Sequence, residues 1–198
     1  FTKWVEAQSY AVLKASHVAK FIRDNIICRC GVPNEIVSDI GSHFKKEVVD
    51  LLEKYNVAFH KSSTYRPQTT GAVEAANKNI KHILRKMGET YLDWPDKLPF
   101  ALWGYRTSIR TSTGATPYSL DYGMEAVLPI ESEVPSLRVL AECQIAKADW
   151  QQSRFEELML FDERRLKALY HVQSYQRRIA RAFNKKVKSR NLKEGDLV

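Results

Sequence analysis

The chain has 198 residues, of which 44% are hydrophobic, so it is long enough to bury one sizeable core and carry an appendage. Its three cysteines are odd in number and form no Cys-x-x-Cys pair, which argues against a disulfide framework and a zinc site; no stretch resembles a membrane span or a signal peptide. The net charge of +8 suggests a polyanionic partner.

The first sixty residues alternate between strand and helix patterns. Apolar residues recur near helical period over residues 13–27, and Gly31 and Pro33 end that helix. The run at residues 35–38 predicts an interior strand. Further strands are predicted at residues 4–7 and 57–60, and a second helix at residues 48–55. This order favours an α/β sheet with helices on its faces.

The second half of the chain is predicted to be mainly helical. One helix begins near Glu74 and runs to Met87, Pro95 and Pro99 bracket a turn, and another helix covers residues 100–105. Residues 111–117 read as a loop. Residues 136–194 contain no Pro or Gly and predict one long helix or two, with an apolar stripe at Val172, Tyr175, Ile179, Phe183 and Val187.

Two acids occupy settings that suit a shared divalent metal. Asp39 follows the predicted strand at residues 35–38, and Glu74 lies in the first turn of a helix. Converging carboxylates of this kind hold the metal ions that cut or join phosphodiester bonds. Each acid also has an ordinary explanation, because Asp before a turn glycine and Glu near a helix N-terminus are both common.

Glu74 shares a helix face with three cations. Lys78, Lys81 and Arg85 follow it at helical spacing, which predicts a metal-ligating carboxylate beside a row of phosphate contacts. A solvated face with a Glu-to-Lys pair is the alternative. The opposite, buried stripe is predicted to contain Val73, Ala76, Ile80, Leu84 and Met87.

The loop before this helix carries groups suited to nucleic acid. Tyr65 can stack on a base, Arg66 and Gln68 can hold a backbone, and Pro67 stiffens the segment. An ordinary surface turn is the alternative reading.

Several motifs, in order along the chain, resemble integrases of gypsy-class long-terminal-repeat retrotransposons, as in a plant-type pol polyprotein fragment. They lie at residues 1–7, 36–44, 65–78 and 103–123, and at residues 182–187 and 195–198. The resemblance runs essentially end to end. It implies an α/β, RNase H-like catalytic core truncated at its N-terminal strands, followed by a long, helical, basic arm.

The resemblance also implies the chemistry. Such enzymes hold Mg²⁺ or Mn²⁺ with two Asp and one Glu; Asp39 matches the second Asp and Glu74 the Glu, whereas the first Asp and a zinc domain are expected before Phe1. Lys78 and Lys81 match positions used against donor DNA ends. DNA is the implied partner, a homo-oligomer the implied assembly and the nucleus the implied location.

The sequence departs from the family pattern near both acids. Ile40 and Thr70 stand where Asn is common, and many relatives have one more residue between the two acids. Ile40 in place of Asn removes a polar side chain that could orient the loop beside the proposed metal ligand Asp39. Because one of three ligands is expected upstream, residues 1–198 alone are predicted to be catalytically inactive.

The basic charge is concentrated at the C-terminal end. Eleven Lys or Arg and no Asp or Glu lie within residues 164–193, leaving 20 basic and 23 acidic residues elsewhere. Phosphate binding and a solvated helix face are both open readings. The candidate nucleic-acid contacts in this arm are Arg177, Arg178, Arg181, Lys185 and Lys186.

The predicted organisation is a partial catalytic core at residues 1–128, a linker at 129–137, the helical basic arm at 138–190 and the start of a small β-barrel at 191–198. Two other functions fit the sequence. One is a non-catalytic nucleic-acid-binding module that uses only the basic arm, and the other is a protein–protein scaffold whose helices assemble multimers.

Overall fold

The computed structural model describes residues 1–39, 41, 43–44, 46–62, 71–88, 93–127, 134, 137–185 and 187. Contacts within the chain divide it into two compact units. The first unit is Lys3–Thr107, and the second joins Phe1–Thr2 to Ser108–Val198. The predicted start of the small β-barrel, at residues 191–198, and the predicted end of the long helix, beyond residue 187, lie outside the described residues.

The first unit begins with an extended segment rather than a strand. Residues 4–7 form no described sheet pairing, so the strand predicted there is wrong. The Val5 carbonyl instead accepts hydrogen bonds from Nε and Nη2 of Arg106, at 3.1 and 2.8 Å. The backbone of this segment is therefore hydrogen-bonded to the Arg106 side chain, whereas a strand would be hydrogen-bonded to the backbone of a neighbouring strand.

The helix predicted at residues 13–27 is present, but it changes from α-helix to π-helix part of the way along. Helix α1 spans Ala15–Phe21, a π-helical stretch spans Ile22–Ile27, and α2 spans Cys28–Cys30. Gly31 ends the run with φ 88°, a conformation that glycine adopts without steric cost. All three cysteines of the chain are exposed.

Two parallel strands make the sheet of the described residues. Strand β1 spans Glu35–Ser38, as predicted, and β2 spans Ala58–Lys61, one residue later than predicted. Their register pairs Glu35 with Ala58 and Ser38 with Lys61. Helix α3, Lys46–Lys54, connects them and starts two residues earlier than expected. Val37 is 44% exposed, so β1 is less enclosed than the interior strand that was predicted.

Apolar burial links these elements. The fully buried Val48 and Leu52 of α3 meet Ile22 and Ile27 of the π-helical stretch and Val57 beside β2. Ile36 and Phe59 of the two strands pack against the same cluster. The sheet is thereby covered on one side by α3 and the π-helical stretch, and β1 contacts this cluster through Ile36.

Helix α4 spans Gly71–Met87 and packs against α5, Trp94–Thr107. Their shared cluster contains Ala76 and Ile80 of α4, and Leu98, Ala101, Leu102 and Tyr105 of α5. The apolar stripe that was predicted to be buried on α4 is longer than the part of the helix that is actually buried. Val73 is 60% exposed and Met87 is 39% exposed, because the contact with α5 covers only the middle of the helix.

Helix α5 also begins earlier than predicted and runs through both prolines. Pro95 lies in the first turn, where no backbone N–H is needed. Pro99 lies inside the helix and removes one hydrogen bond. Burial of Leu98 and Ala101 on either side of it offsets that loss, so tertiary packing overrides the expected turn.

The second unit starts with a tight turn and a short helix. An antiparallel bridge pairs Arg110 with Ala115, and α6 spans Pro117–Tyr122. The Thr116 side chain caps α6 by accepting a hydrogen bond from the Ser119 N–H at 3.0 Å. The loop predicted at residues 111–117 therefore ends where Pro117 opens a helix.

Within the described residues 137–185, three helices are present instead of the predicted one or two: α7, Leu137–Gln144; α8, Lys147–Met159; and α9, Phe161–Asn184. Along the predicted apolar stripe only Val172 is buried, and Tyr175 is half-buried. Ile179, Phe183 and Val187 are more than half exposed. None of the helices in the described residues combines the length and apolar character needed to cross a bilayer.

Candidate functional site

Asp39 lies immediately beyond the carboxyl end of β1 and is exposed. Its Oδ1 atom accepts a hydrogen bond from the Gly41 N–H at 3.2 Å, and the Ser38 hydroxyl donates to the Asp39 carbonyl at 2.9 Å. A Cβ atom on Gly41 would lie 2.9 Å from Asp39 Oδ1. Glycine at that position therefore lets the chain fold closely around the carboxylate and fix its direction.

Glu74 lies in the first turn of α4, as the sequence predicts. It lines an open depression of about 480 Å³ together with Asn77, Lys78, Asn79, Lys81, His82 and Arg85. The structure thus brings Glu74 and its three predicted cations to one surface. Asp39 is not among the residues that line this depression.

Sequence reasoning missed the three other polar residues at this surface, Asn77, Asn79 and His82. Their spacing on α4 could have revealed them, since Asn77 and His82 lie within one turn of Lys78 and Lys81. Amide and imidazole groups form directional hydrogen bonds, so they can orient a ligand that the neighbouring cations only attract. The depression therefore offers cations for a phosphate group and hydrogen-bonding side chains for the atoms next to that phosphate.

Two residues of the predicted site, Tyr65 and Gln68, lie outside the described residues, as does Lys186. Of the predicted contacts in the arm, Arg177, Arg178 and Arg181 are exposed on α9, and Lys185 is exposed directly after it. The roles of all these residues remain predictions.

The described residues contain no group of three or more His, Cys, Asp or Glu side chains able to hold a metal ion. What they offer is two exposed carboxylates with hard oxygen donors, Asp39 and Glu74. Magnesium is commonly held by one or two carboxylates, with water and substrate phosphates completing its shell. Each of these two carboxylates offers the oxygen donors that Mg²⁺ prefers, with Glu74 beside the cations of the depression and Asp39 outside its lining.

The chain is similar to retroviral polyproteins. It is 35% identical over 127 residues to the Gag-Pol polyprotein of avian reticuloendotheliosis virus, covering 63% of this chain and 11% of that protein. It is 38% identical over 126 residues to the Pol polyprotein of feline endogenous virus ECE1, covering 62% of this chain and 12% of that protein. The chain thus spans about a tenth of the length of these relatives. None of the known protein-family models matches it.

Solved structures give the fold. The catalytic core domain of BIV integrase aligns with a TM-score of 0.50 and 26% identity, over 67% of this chain and 82% of that chain. A chain of the simian T-cell lymphotropic virus intasome in complex with PP2A regulatory subunit B56 gamma aligns with a TM-score of 0.55 and 22% identity, over 65% of this chain and 47% of that chain.

The fold is therefore the RNase H-like fold of integrase catalytic cores, followed by a helical C-terminal region, as the sequence predicts. Over about three fifths of its length the chain is similar in sequence to part of retroviral Pol polyproteins, and its fold is similar to that of an integrase catalytic core.

Proposed function

We propose that this chain is the core region of a DNA integrase from a gypsy-class long-terminal-repeat element, of the plant type. In the intact parent protein it trims the element's ends and joins them to target DNA. The observation that carries the proposal is the position of Asp39, which leaves β1 in a fold shared with integrase cores. The family motifs at residues 36–44, 65–78 and 103–123 support the finer assignment.

Asp39 and Glu74 are the proposed ligands of Mg²⁺ or Mn²⁺. A metal ion bound there would activate a water or a 3′-hydroxyl and stabilise the leaving oxygen. The protein's own task is to direct the two carboxylates. Gly41 does this for Asp39 through its N–H, and the first turn of α4 does it for Glu74 by fixing the position of its backbone.

The proposed contacts to DNA surround Glu74. Lys78, Lys81 and Arg85 lie beside it in one depression, so a strand end held there by its phosphates comes next to the carboxylate. Tyr65 and Gln68 are the proposed positioning residues in the preceding loop. The proposed assembly is a homo-oligomer on DNA in the nucleus, where target DNA is found.

Metal binding in the presence of DNA tests the proposed ligands. Mn²⁺ binding is measured by electron paramagnetic resonance on the purified chain with a blunt-ended duplex. Asp39→Asn and Glu74→Gln are each expected to weaken Mn²⁺ binding about tenfold or more, because each removes one charged oxygen ligand. Asp50→Asn, an exposed acid on α3, is the matched control. Equal Mn²⁺ affinity in all three variants would contradict the ligand assignment.

Strand joining supplies a second readout. Because Asp39 and Glu74 match only two of the family's three metal ligands, the 198-residue chain alone is predicted to bind DNA ends without joining them. Lys78→Gln with Lys81→Gln is expected to weaken binding of DNA ends, whereas Lys86→Gln on the same helix leaves it unchanged. Joined products from the unmodified chain would refute the predicted inactivity.

A non-catalytic nucleic-acid-binding module is the second candidate, and the exposed cations of α9 favour it. Salt-dependent DNA binding that survives Asp39→Ala and Glu74→Ala, but is lost when residues 164–193 are deleted, would support this module. Loss of end binding in the variant with Lys78→Gln and Lys81→Gln, with binding retained after that deletion, would favour the integrase.

A further inference from the structure

Helices α8 and α9 are joined by a single residue, Leu160. Its N–H donates to the Glu156 carbonyl at 3.2 Å, and its carbonyl accepts from the Arg164 N–H at 3.0 Å. Both hydrogen bonds have the four-residue spacing of an α-helix, so the helical backbone continues across the junction. The two helices therefore form one helical segment at residues 147–184, about 57 Å long at 1.5 Å per residue.

One face of this segment is packed against its own unit. Positions that are partly or fully covered recur every three or four residues from Arg154 to Tyr175, on both sides of the junction. At the end of α6, Arg154 Nη2 donates to the Tyr122 carbonyl at 3.2 Å, and Arg164 Nη1 donates to the Gly123 carbonyl at 3.3 Å. These contacts fix the rotation of the segment, so its other faces have defined directions.

Beside the covered face lies a row of exposed apolar side chains, which we call the pairing face. In an α-helix their positions fall within an arc of about 100°, the width of an apolar face that packs on a neighbouring element. From first to last they span about 42 Å. Each of them is between 38% and 67% exposed. The pairing face comprises Phe155, Leu158, Leu166, Leu169 and Phe183.

Charge along the same segment is divided into two blocks. Residues 148–163 contain five acids and one cation, whereas residues 164–185 contain seven cations and no acid. A second copy laid parallel would set cations against cations and acids against acids. A second copy laid antiparallel sets the acidic block of each chain against the basic block of the other. The chain thus carries both halves of a complementary surface, and they match only in the antiparallel direction.

An antiparallel pair centred on Leu169 brings the two pairing faces into register. Leu169 then meets the same residue of the other copy, and Phe155 meets Phe183, because both lie 14 positions from the centre. The polar residues Asp162 and Gln176 lie on the same arc, each seven positions from the centre. The Gln176 amide can therefore donate to the Asp162 carboxylate of the other copy. A polar pair within an apolar contact between helices fixes its register.

The same register sets opposite charges against each other along one edge. Glu163 and Arg177 lie six and eight positions from Leu169, and Glu156 and Arg181 lie thirteen and twelve. All four point within about 60° of one another around the helix axis, to one side of the pairing face. They are exposed, and none of them forms an ion pair within the described part of the chain. Two-fold symmetry forms each pair twice, which gives four ion pairs.

We propose that two copies of this chain associate through α8 and α9, antiparallel, with their pairing faces in contact and Leu169 at the centre. The apolar side chains supply the buried area, and the charge blocks determine the direction. This goes beyond the homo-oligomer of the proposed function, because it names the surface, direction and register of the contact. None of these depends on integrase chemistry.

Two charge-reversal variants of the full chain test the partner and the direction. The first carries Glu156→Lys and Glu163→Lys, and the second carries Arg177→Glu and Arg181→Glu. Each alone is expected to weaken self-association about tenfold or more, because four attractive pairs become repulsive. Mixed in equal amounts, the two variants are expected to associate with each other, because every pair is then attractive again. Sedimentation velocity after nuclease treatment measures the masses without DNA.

Matched reversals away from the pairing face serve as controls for net charge. Asp50→Lys with Glu53→Lys lies on α3, and Lys86→Glu with Lys97→Glu lies on α4 and α5, all at exposed positions. Both controls are expected to self-associate like the unmodified chain. Circular dichroism checks that every variant is folded.

Cross-linking gives an independent measure of direction. In a chain with Cys28, Cys30 and Cys143 changed to serine, Leu169→Cys is expected to form a disulfide between copies, because the two-fold axis places the two residues together. Phe183→Cys is expected to form none, because the same residue of the other copy lies about 42 Å away along the helix. A parallel pair would give a disulfide at both positions.

Three results would each overturn the proposal. They are an unmodified chain that stays monomeric at about 100 μM, a mixture that associates no better than either variant alone, and a disulfide formed by Phe183→Cys. The variants Asp39→Asn and Glu74→Gln must self-associate like the unmodified chain. Their Mn²⁺ binding reports separately on the proposed function, so the two proposals can fail independently.

Discussion

The carboxylate of Glu6 and the guanidinium of Arg106 lie 2.9 Å apart, although a hundred positions separate them in the chain. Both side chains are largely buried, at 8% and 15% exposure. Trp4 Nε1 donates to the same carboxylate at 3.0 Å, and the guanidinium lies 4.3 Å from the centroid of the Trp4 ring. The N-terminal segment of the first unit is thus fastened to the last turn of α5.

Replacing Arg106 with Leu is expected to lower the free energy of unfolding by about 3 kcal/mol, because the Glu6 carboxylate would stay buried without its main partner. Arg106→Lys should recover only part of the loss, since a lysine cannot reproduce both bonds to the Val5 carbonyl. Urea denaturation measures both. A loss no larger than that of Arg23→Gln, from an exposed pair, would show that burial does not strengthen this contact.

Truncating Leu52 to Ala is expected to cost about 3 kcal/mol of unfolding free energy, because this side chain is 1% exposed within the cluster beneath the sheet. Val73→Ala on α4 is the control, and at 60% exposure it should change stability by less than about 0.5 kcal/mol. Thermal or urea unfolding gives both values. Similar losses in the two variants would mean that Val73 is buried after all.

The cap of α6 can be tested at Thr116. Its hydroxyl oxygen accepts from the Ser119 N–H and also bonds Glu125, so Thr116→Ala is expected to lower stability by about 1 kcal/mol. Thr116→Ser retains the hydroxyl and should restore most of that loss. The measurement is urea denaturation monitored by circular dichroism. An equal loss in both variants would point to packing of the methyl group instead of capping.

The neighbours Arg23 and Asp24 provide a test of pH dependence. The hydrogen bond from Arg23 Nε, at 2.8 Å, holds the pKa of the Asp24 carboxyl below its ordinary value. A depressed folded-state pKa gives stability that is present above the unfolded pKa and is lost as pH falls through the folded one. Arg23→Gln is therefore expected to raise the Asp24 pKa, measured by NMR titration. An unchanged pKa would exclude this hydrogen bond as its cause.

Local patterns predicted much of the fold because the forces that fix those elements are themselves local. The bounds of β1, the presence of α3 and the course of α4 all follow from short apolar runs and helical spacing. The same spacing places Lys78 and Lys81 beside Glu74, and the structure has them around one depression. Their roles in binding and catalysis stay predictions.

The errors in the prediction arise where distant packing decides. The sequence around Val5 resembles a strand, but its carbonyl is taken by Arg106 from α5. Pro99 reads as a helix breaker, yet burial of its neighbours keeps α5 continuous. Val73 and Met87 fit the apolar period but lie past the contact with α5. Helical periodicity identifies the apolar face of a helix, but it cannot show how much of that face a packing partner covers.

The spacing of the cations Lys167, Arg178 and Arg181 on α9 also limits how this chain can change in length. One residue inserted near Gln173 would turn everything after it by about 100°, so Arg178 and Arg181 would no longer be in line with Lys167. Seven inserted residues complete nearly two turns and would lengthen the row without splitting it. Among related chains, insertions and deletions within α9 should therefore come in sevens or elevens, while single-residue changes should be confined to the helix ends.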